Sequence, residues 1–372
     1  MNIYLFFTYG ISLHSWKESG LLEREIKLYT NLHDLNSCNI TFITYGETAD
    51  IEIANSLPGI NCVPMYAHFN KSRFNFINLI KSFAFPYILK KNYTRPDIIK
   101  TNQLKGSWVA ILSKYLYNSK LIIRTGYDNF KFLVNQKKYL KAGMAYLLTW
   151  ISLLFADAYT VTSNADHEFI SKFYFFRKSK LLIRPNWVEI SSNKVESGYE
   201  NRILVVGRLE KQKNYEYLIN EFQNSNIEID IYGEGSLQDD LKSLAKDKNV
   251  KCNFNGNLAH SDLINEYKKY SLYVSTSLYE GNPKTILESI ANGCIALCTD
   301  IPNNREIVKN GINGFLFKLK ENELSSKVDY LLNNPAVLRD IRKNSILSIE
   351  NKYGFKKNLE QEMDDYLNLV KV

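Results

Sequence analysis

Short, largely apolar runs alternate with helix-patterned stretches almost from one end of this chain to the other, and that alternation restricts its fold more than any other feature. Residues 2–8 (NIYLFFT) form the first run, followed by a helical pattern over 19–35 and a second run at 39–45. Runs at 97–100, 120–124 and 158–162 are each followed by a polar turn and a helical stretch. Strands that are apolar at nearly every position, not at every second one, suit a parallel sheet covered on both faces. Strand–helix alternation of this kind implies α/β architecture with right-handed crossovers.

The pattern breaks near residues 190–200, where SSNKVESGYENR is polar and short of large apolar side chains, and reads as a linker. It then restarts, with strands expected at 203–206, 227–232, 250–254, 272–275 and 294–298. Helices are expected at 214–223, at 237–245 and from about Lys284 to Ala291, with amphipathic helices at 323–332 and 359–369. A chain of 372 residues exceeds one ordinary domain of about 100–200. The expectation is two Rossmann-like domains over 1–190 and 191–352, with 353–372 a helix packing back on the first. In doubly wound sheets ligands sit outside the carboxyl ends of the strands, so the loops after strands carry the chemistry.

Charge divides the chain. Residues 1–190 hold 23 Lys/Arg against 13 Asp/Glu, whereas the remainder holds 24 against 26. Residues 71–141 alone carry 15 basic side chains and two acidic ones, Asp97 and Asp128. Such asymmetry points the first half at an anionic partner. Two basic segments, 69–93 and 136–155, interleave their lysines with Phe, Tyr, Ile and Leu. They read either as core helices or as helices lying in the headgroup plane of an anionic membrane. No nucleic-acid recognition motif accompanies the charge, so nucleic acid is not an expected partner. Five scattered cysteines read as small core residues in a reducing compartment. The N-terminus reads as a strand, without the basic region of a signal peptide, and the longest apolar run, 142–156, falls short of the ~20 residues of a spanning helix. A cytoplasmic protein is expected, with contact at the inner face of the membrane.

Two segments of the second half carry the candidate chemistry. In VVGRLEKQKN an apolar strand ends at Gly207, and Arg208 and Lys213 project from the loop into the next helix. A guanidinium and an ammonium beside a helix start make a site for a diphosphate. In YEGNPKTILESIANG, Glu280 follows a strand, and a Gly-Asn-Pro turn leads into a helix carrying Glu288. That helix start exposes backbone donors to an anion, and the carboxylates suit the hydroxyls of a sugar and a ribose. No paired carboxylates sit in a loop as a metal-dependent transferase would want, so no metal is expected.

Together, GRLxxxKN and EGNPxxxLExxANG, about 70 residues apart, resemble the C-terminal domain of the retaining family-4 glycosyltransferases of the GT-B fold. IYGEGSLQDDL is similar to the segment between those motifs, RPNWVEI to the family's PNGVD hinge, and AYTVTSNAD to a strand ending in Ser. The resemblance implies two Rossmann-like domains facing a central cleft, and a C-terminal helical tail returning toward the first. It implies transfer, with retention of configuration, of a sugar from a UDP- or GDP-linked donor, with no further cofactor. Arg208 and Lys213 would neutralise the donor diphosphate and Glu280 would bind hydroxyls of the transferred sugar. Gly281, Asn282, Pro283, Lys284 and Thr285 would line the sugar–phosphate junction, and Glu288 would hold the ribose. Gly207, Gly233 and Gly235 would allow close approach near the nucleotide. The expected acceptor is a glycan or polyprenyl-linked sugar of a surface polysaccharide such as lipopolysaccharide or capsule.

The first half departs from the family. Its glycine-pair loop appears only as Ser19-Gly20, after the insertion YGISLHSW, and Gly20 would keep the approach to the diphosphate. The histidine that many members carry after the strand at 120–124 is absent, leaving Arg124, Tyr127 or Asp128 for its role, with His14 near the same loops. These departures leave open a degenerate subunit that binds nucleotide sugars or glycans without turnover. A nucleotide-sugar epimerase on the same fold would need an acid–base pair that the sequence does not offer.

Overall fold

The structure, a computed structural model, describes residues 1–175, 178–190 and 201–371; most of the expected linker, 191–200, lies outside the described residues. These residues form two compact units, Met1–Arg184 with Leu359–Val372, and Pro185–Asn358.

Unit 1 is built on seven described strands: β1 (Asn2–Phe6), β2 (Asn39–Thr44), β3 (Ile60–Pro64), β4 (Ile98–Thr101), β5 (Lys120–Arg124), β6 (Ala158–Val161) and β7 (Lys180–Ile183). All pairings are parallel, in the order β3-β2-β1-β4-β5-β6-β7. The order reverses between β1 and β4, so this is a doubly wound sheet. On one face, Tyr4, Phe6, Ile99, Leu121 and Tyr159 of the strands meet a layer of helices through Phe85, Leu89, Val109, Leu153 and Ile170. The helical pattern expected over 19–35 is the helix Leu22–Asn36, and the insertion before it forms a short helix of its own, Leu13–Glu18. Gly20 separates them at φ +67, a left-handed turn that β-carbon sterics disfavour.

Unit 2 has six described strands: β8 (Arg202–Val206), β9 (Glu228–Tyr232), β10 (Lys251–Phe254), β11 (Leu272–Ser275), β12 (Ile295–Thr299) and β13 (Phe315–Phe317), parallel in the order β10-β9-β8-β11-β12-β13. Alternate residues of one strand feed two cores. Ile203 and Val205 join Ile229, Ile231, Leu272 and Val274 on one face, whereas Leu204 and Val206 join Tyr273, Ala296 and Cys298 on the other. This double burial is why β8 is apolar from Ile203 to Val206.

The helix Phe355–Val370 begins in unit 2 and runs into unit 1, where Glu362 meets Lys100 of β4. Lys100 is 2% exposed, Glu362 also accepts from the Tyr366 hydroxyl, and the Lys100 ammonium lies over the Tyr29 and Tyr366 rings. Burial holds Lys100 below the usual lysine range, an effect only partly offset by Glu362. Burial acts to raise Glu362, but Lys100, Tyr366 and Arg124 outweigh it and hold the carboxyl below its usual range. Three residues on, Asp365 forms a two-pronged ion pair with Arg184, both contacts 2.6 Å.

Removing one member of such a buried pair strands the other charge. Lys100→Met should destabilise unit 1 by about 3–5 kcal/mol, and Lys100→Met with Glu362→Met should recover most of that. Calorimetric melting of the three proteins at neutral pH checks this. Glu362 titrates below its ordinary 4.5, so its stabilisation is present above that pH and is lost as the pH falls through the lower folded value.

Candidate functional site

In unit 2 the loops after β8, β9 and β11 form the site, and the first two are sealed by main-chain contact. Gly207 N–H donates to Tyr232 O (2.9 Å), Leu209 N–H to Glu234 O (3.0 Å) and Leu237 N–H to Leu209 O (3.0 Å). A β-carbon on Gly233, whose φ is +137, would lie 2.2 Å from the Gly207 carbonyl oxygen, and one on Gly235 would lie 2.4 Å from that of Leu209. Both glycines therefore admit a neighbouring loop of the protein. At Gly207 a β-carbon would crowd the Lys213 side chain at 3.0 Å and the Tyr215 hydroxyl at 3.1 Å.

Lys213 and Glu280 meet here. The Lys213 Nζ donates to Glu280 Oε1 at 2.6 Å, with the two side chains 16% and 8% exposed. Gln212 braces the contact, its Nε2 donating to Tyr279 O at 2.8 Å, while Leu278 N–H donates to Gln212 O at 2.9 Å. The Thr276 hydroxyl holds Lys213 O at 2.7 Å. The loops after β8 and β11 are thus tied by backbone and side chain, and the ammonium is held with little freedom. Arg208, one residue past Gly207, is exposed and pairs with no carboxylate among the described residues.

The Gly281-Asn282-Pro283 turn then opens the helix Lys284–Ala291 with Pro283 as its N-cap residue, and no side chain caps its first turn. Gly281, Asn282 and Pro283 are buried. Asn282 is occupied structurally: its Oδ1 accepts from Asn186 N–H (2.9 Å) and its carbonyl from Asn186 Nδ2 (2.6 Å). Thr285 Oγ1 accepts from the buried Tyr273 hydroxyl at 2.9 Å, which leaves its own hydrogen to donate. The Lys284 ammonium lies 5.9 Å from the Trp187 ring centroid. An uncapped helix start with a paired lysine and an exposed arginine on neighbouring loops forms a ready anion site.

One helical turn on, Glu288 is 4% exposed and faces His260, with His260 Nε2 and Glu288 Oε1 3.2 Å apart. Sequence reasoning missed His260, Gln212 and Asn186 as parts of the site. Asn186 and Gln212 each lie in a quoted motif, RPNWVEI and VVGRLEKQKN, whose resemblance gave them no role.

Unit 1 disperses its candidates. His14 has a half-exposed ring that pairs with Glu18 at 3.4 Å. It sits in a helix whose start is capped by buried Asp50, which accepts from Leu13 N–H (3.0 Å), His14 N–H (2.9 Å) and the Thr44 hydroxyl (2.5 Å). Gly20 closes that helix, its N–H donating to Lys17 O at 3.1 Å. Arg124 ends β5, its N–H donating to Thr101 Oγ1 at 3.1 Å, and its charge reaches the Lys100–Glu362 pair. Tyr127 is 38% exposed, its ring 4.2 Å from Phe132. Asp128 is buried and caps the helix Asn129–Asn135 through Lys131 N–H at 2.7 Å; burial pushes its carboxyl up to about 6. Asp128 therefore has a structural task that the sequence did not announce.

Known proteins share both the motifs and the fold. Residues 189–347 match the family described as glycosyl transferases group 1. An Escherichia coli UDP-Gal:alpha-D-GlcNAc-diphosphoundecaprenol alpha-1,3-galactosyltransferase is 26% identical over 309 residues, covering 76% of this chain and 78% of that protein. A Campylobacter jejuni alpha-1,4-N-acetyl-D-galactosaminyltransferase, named for an undecaprenol-linked acceptor, is 23% identical over 57% of this chain and 60% of its own length. Among solved structures, a Thermosynechococcus elongatus sucrose-phosphate synthase superposes with a TM-score of 0.85 at 16% identity, over 99% of each chain. Anabaena HepE in complex with UDP-glucose superposes at 0.77 and 15% identity, over 99% of this chain and 100% of that one. With both motifs in place on two doubly wound sheets, the chain is a GT-B glycosyltransferase whose residues 189–347 carry the glycosyl transferases group 1 match.

Proposed function

We propose that the enzyme transfers a hexosyl residue from a UDP-linked donor onto a lipid-linked glycan acceptor, in the cytoplasmic assembly of a surface polysaccharide. The observation that carries this is the Lys213–Glu280 pair, buttressed on the loop that opens an uncapped helix. A diphosphate and the sugar it bears need a cation and a hydroxyl acceptor side by side, and the pair supplies both. The lipid-linked acceptor class rests on the undecaprenol-linked acceptors in the names of two relatives, and the UDP donor on UDP-Gal in one of those names and on HepE.

In the reaction the bond from the anomeric carbon to the β-phosphate oxygen breaks, and its electron pair leaves with UDP. The acceptor oxygen bonds to the same face of the sugar, and its proton passes to the departing phosphate oxygen. Charge grows on the diphosphate as the bond breaks. Lys213, Arg208, the Thr285 hydroxyl and the first N–H groups of the helix Lys284–Ala291 stabilise it there, in a site already organised for it. Glu280 orients sugar hydroxyls, Glu288 the ribose, and Gly281, Pro283 and Lys284 line the junction. On unit 1, Gly20 stays a candidate for the donor diphosphate, and His14, Arg124, Tyr127 and Asp128 stay candidates for the acceptor or the donor sugar.

Lys213→Ala and Glu280→Gln should each lower kcat by about 10²–10³-fold, the scale of losing one transition-state donor. The Glu280→Gln amide oxygen can still accept from Lys213, so that variant should stay folded while its melting temperature falls, because the ammonium loses its counter-charge. Full transfer by both variants would sink this assignment, and donor binding without transfer by the wild type would point instead to a binding subunit.

UDP should raise the melting temperature in a dye-based assay, with or without EDTA, and Arg208→Ala should shrink that shift. A shift with GDP and none with UDP would overturn the donor assignment. His260 touches Glu288, so His260→Ala should raise the donor KM several-fold while kcat changes less. An equal fall in kcat with KM unchanged would place His260 in the chemistry instead.

A further inference from the structure

On unit 1 the helix Asn75–Asn92 is apolar on two faces. One buries Phe85 and Leu89 with the polar Asn78 and Ser82, while on the other Phe76 is 71% exposed, Ile80 54%, Phe83 47% and Tyr87 60%. The spacing of those four, i, i+4, i+7 and i+11, places them on one face. The polar groups turned inward are satisfied: Ser72 N–H donates to Asn78 Oδ1 (2.9 Å), Asn78 Nδ2 to Ser72 O (2.7 Å), and Trp108 Nε1 to Ser82 Oγ (2.9 Å). The second apolar face is therefore left to solvent by the fold itself.

The helix Tyr139–Phe155 repeats the arrangement. Leu140, Met144 and Leu147, at i, i+4 and i+7, are 84%, 67% and 52% exposed, while Thr149 and Ser152 are buried. Both helices cover the same core, with the helix Ser107–Tyr117 contributing Val109 and Ala110 beside them. Exposed Tyr115 on that third helix sets its ring 6.0 Å from Phe155. Monomers seldom expose contiguous apolar patches beyond a few hundred Å² unless something binds there.

Charge selects the occupant. Neither of the two apolar-faced helices carries an acidic residue, whereas Lys81, Lys90, Lys91 and Lys141 lie on them, with Lys137 and Lys138 immediately before the second. The two acidic residues of 71–141 are turned to structural tasks: Asp128 is buried, and Asp97 accepts from Asn2 N–H at 2.8 Å. A second copy across a two-fold axis would set these lysines against one another. Among the described residues no helix is long and apolar enough to cross a membrane. We propose that this helical face docks in the plane of an anionic lipid leaflet, its apolar stripes at the headgroup–acyl boundary and its lysines among the phosphates. The proposal deepens the lipid-linked acceptor reading, on which its purpose rests.

The test is co-sedimentation of the full chain with vesicles of phosphatidylcholine alone or mixed with phosphatidylglycerol. The wild type should bind the anionic vesicles at least about tenfold more tightly than the neutral ones, and added salt should weaken it. Phe76→Glu with Ile80→Glu, or Leu140→Glu with Met144→Glu, should lose at least about tenfold in binding, because an exposed apolar anchor becomes a repelled charge. Both pairs should keep wild-type transfer to a water-soluble acceptor. Wild-type binding by both double variants, or equal binding to neutral vesicles, would overturn the proposal. A lipid-free dimer in sedimentation velocity that both variants dissolve would overturn it in favour of self-association. Vesicle binding is read without turnover, so it separates a failure of docking from a failure of the proposed reaction.

Discussion

The Gly207 carbonyl oxygen lies where a β-carbon of residue 233 would have to be. That contact allows the loops after β8 and β9 to close on each other through their backbones, with three main-chain hydrogen bonds across the seam. The charged groups of the proposed donor site are all referenced to this seam. Arg208 leaves it directly, Lys213 is one short turn further on, and Glu280 is brought to Lys213 by the Gln212 and Thr276 hydrogen bonds. Any side chain at 233 or 235 would push the loops apart and displace the ammonium, so two residues without side chains govern where the charged ones sit.

The pairing of Lys213 with Glu280 also has an electrostatic logic. A largely buried ammonium gives up solvation, and the carboxylate beside it offsets that loss and holds the side chain in place before any ligand arrives. Arg208 is exposed and keeps its solvation. One cation is thus rigid and neutralised in advance, while the other can reorient toward an arriving anion, a division of labour between positioning and attraction. The helix start at Lys284 adds partial charge that needs no counter-ion of its own.

Much of this was legible in the residues. The continuous apolar runs announced both sheets because central parallel strands are buried on both sides, as Ile203 to Val206 shows. The strands that went unanticipated, β3, β7 and β13, all lie at sheet edges, where a strand has one neighbour and can be short or contain Asn61 and Pro64. Motif spacing named Lys213, Glu280 and Glu288, yet not what holds them. Gln212, His260 and Asn186 act across sequence separations of 28 to 96 residues, which no local pattern encodes. The same applies to Asp50, whose carboxylate holds the start of an inserted helix 36 residues earlier in the chain. The inward-facing Asn78 and Ser82 were unreadable for another reason: the helix is apolar on two faces, and only the one with Phe85 and Leu89 is buried.

Unit 1 is discontinuous. The chain leaves it at Arg184 and re-enters at Leu359, and the partner of Lys100 lies 262 residues downstream. On a ribosome, β4 is therefore made long before Glu362 exists. The first sheet must emerge with an uncompensated lysine aimed at an uncovered face, and it stays so while all of unit 2 is synthesised. Nascent domains generally fold in order of appearance. Here the first to appear is the last that can finish, which gives a chaperone a defined interval in which to hold it.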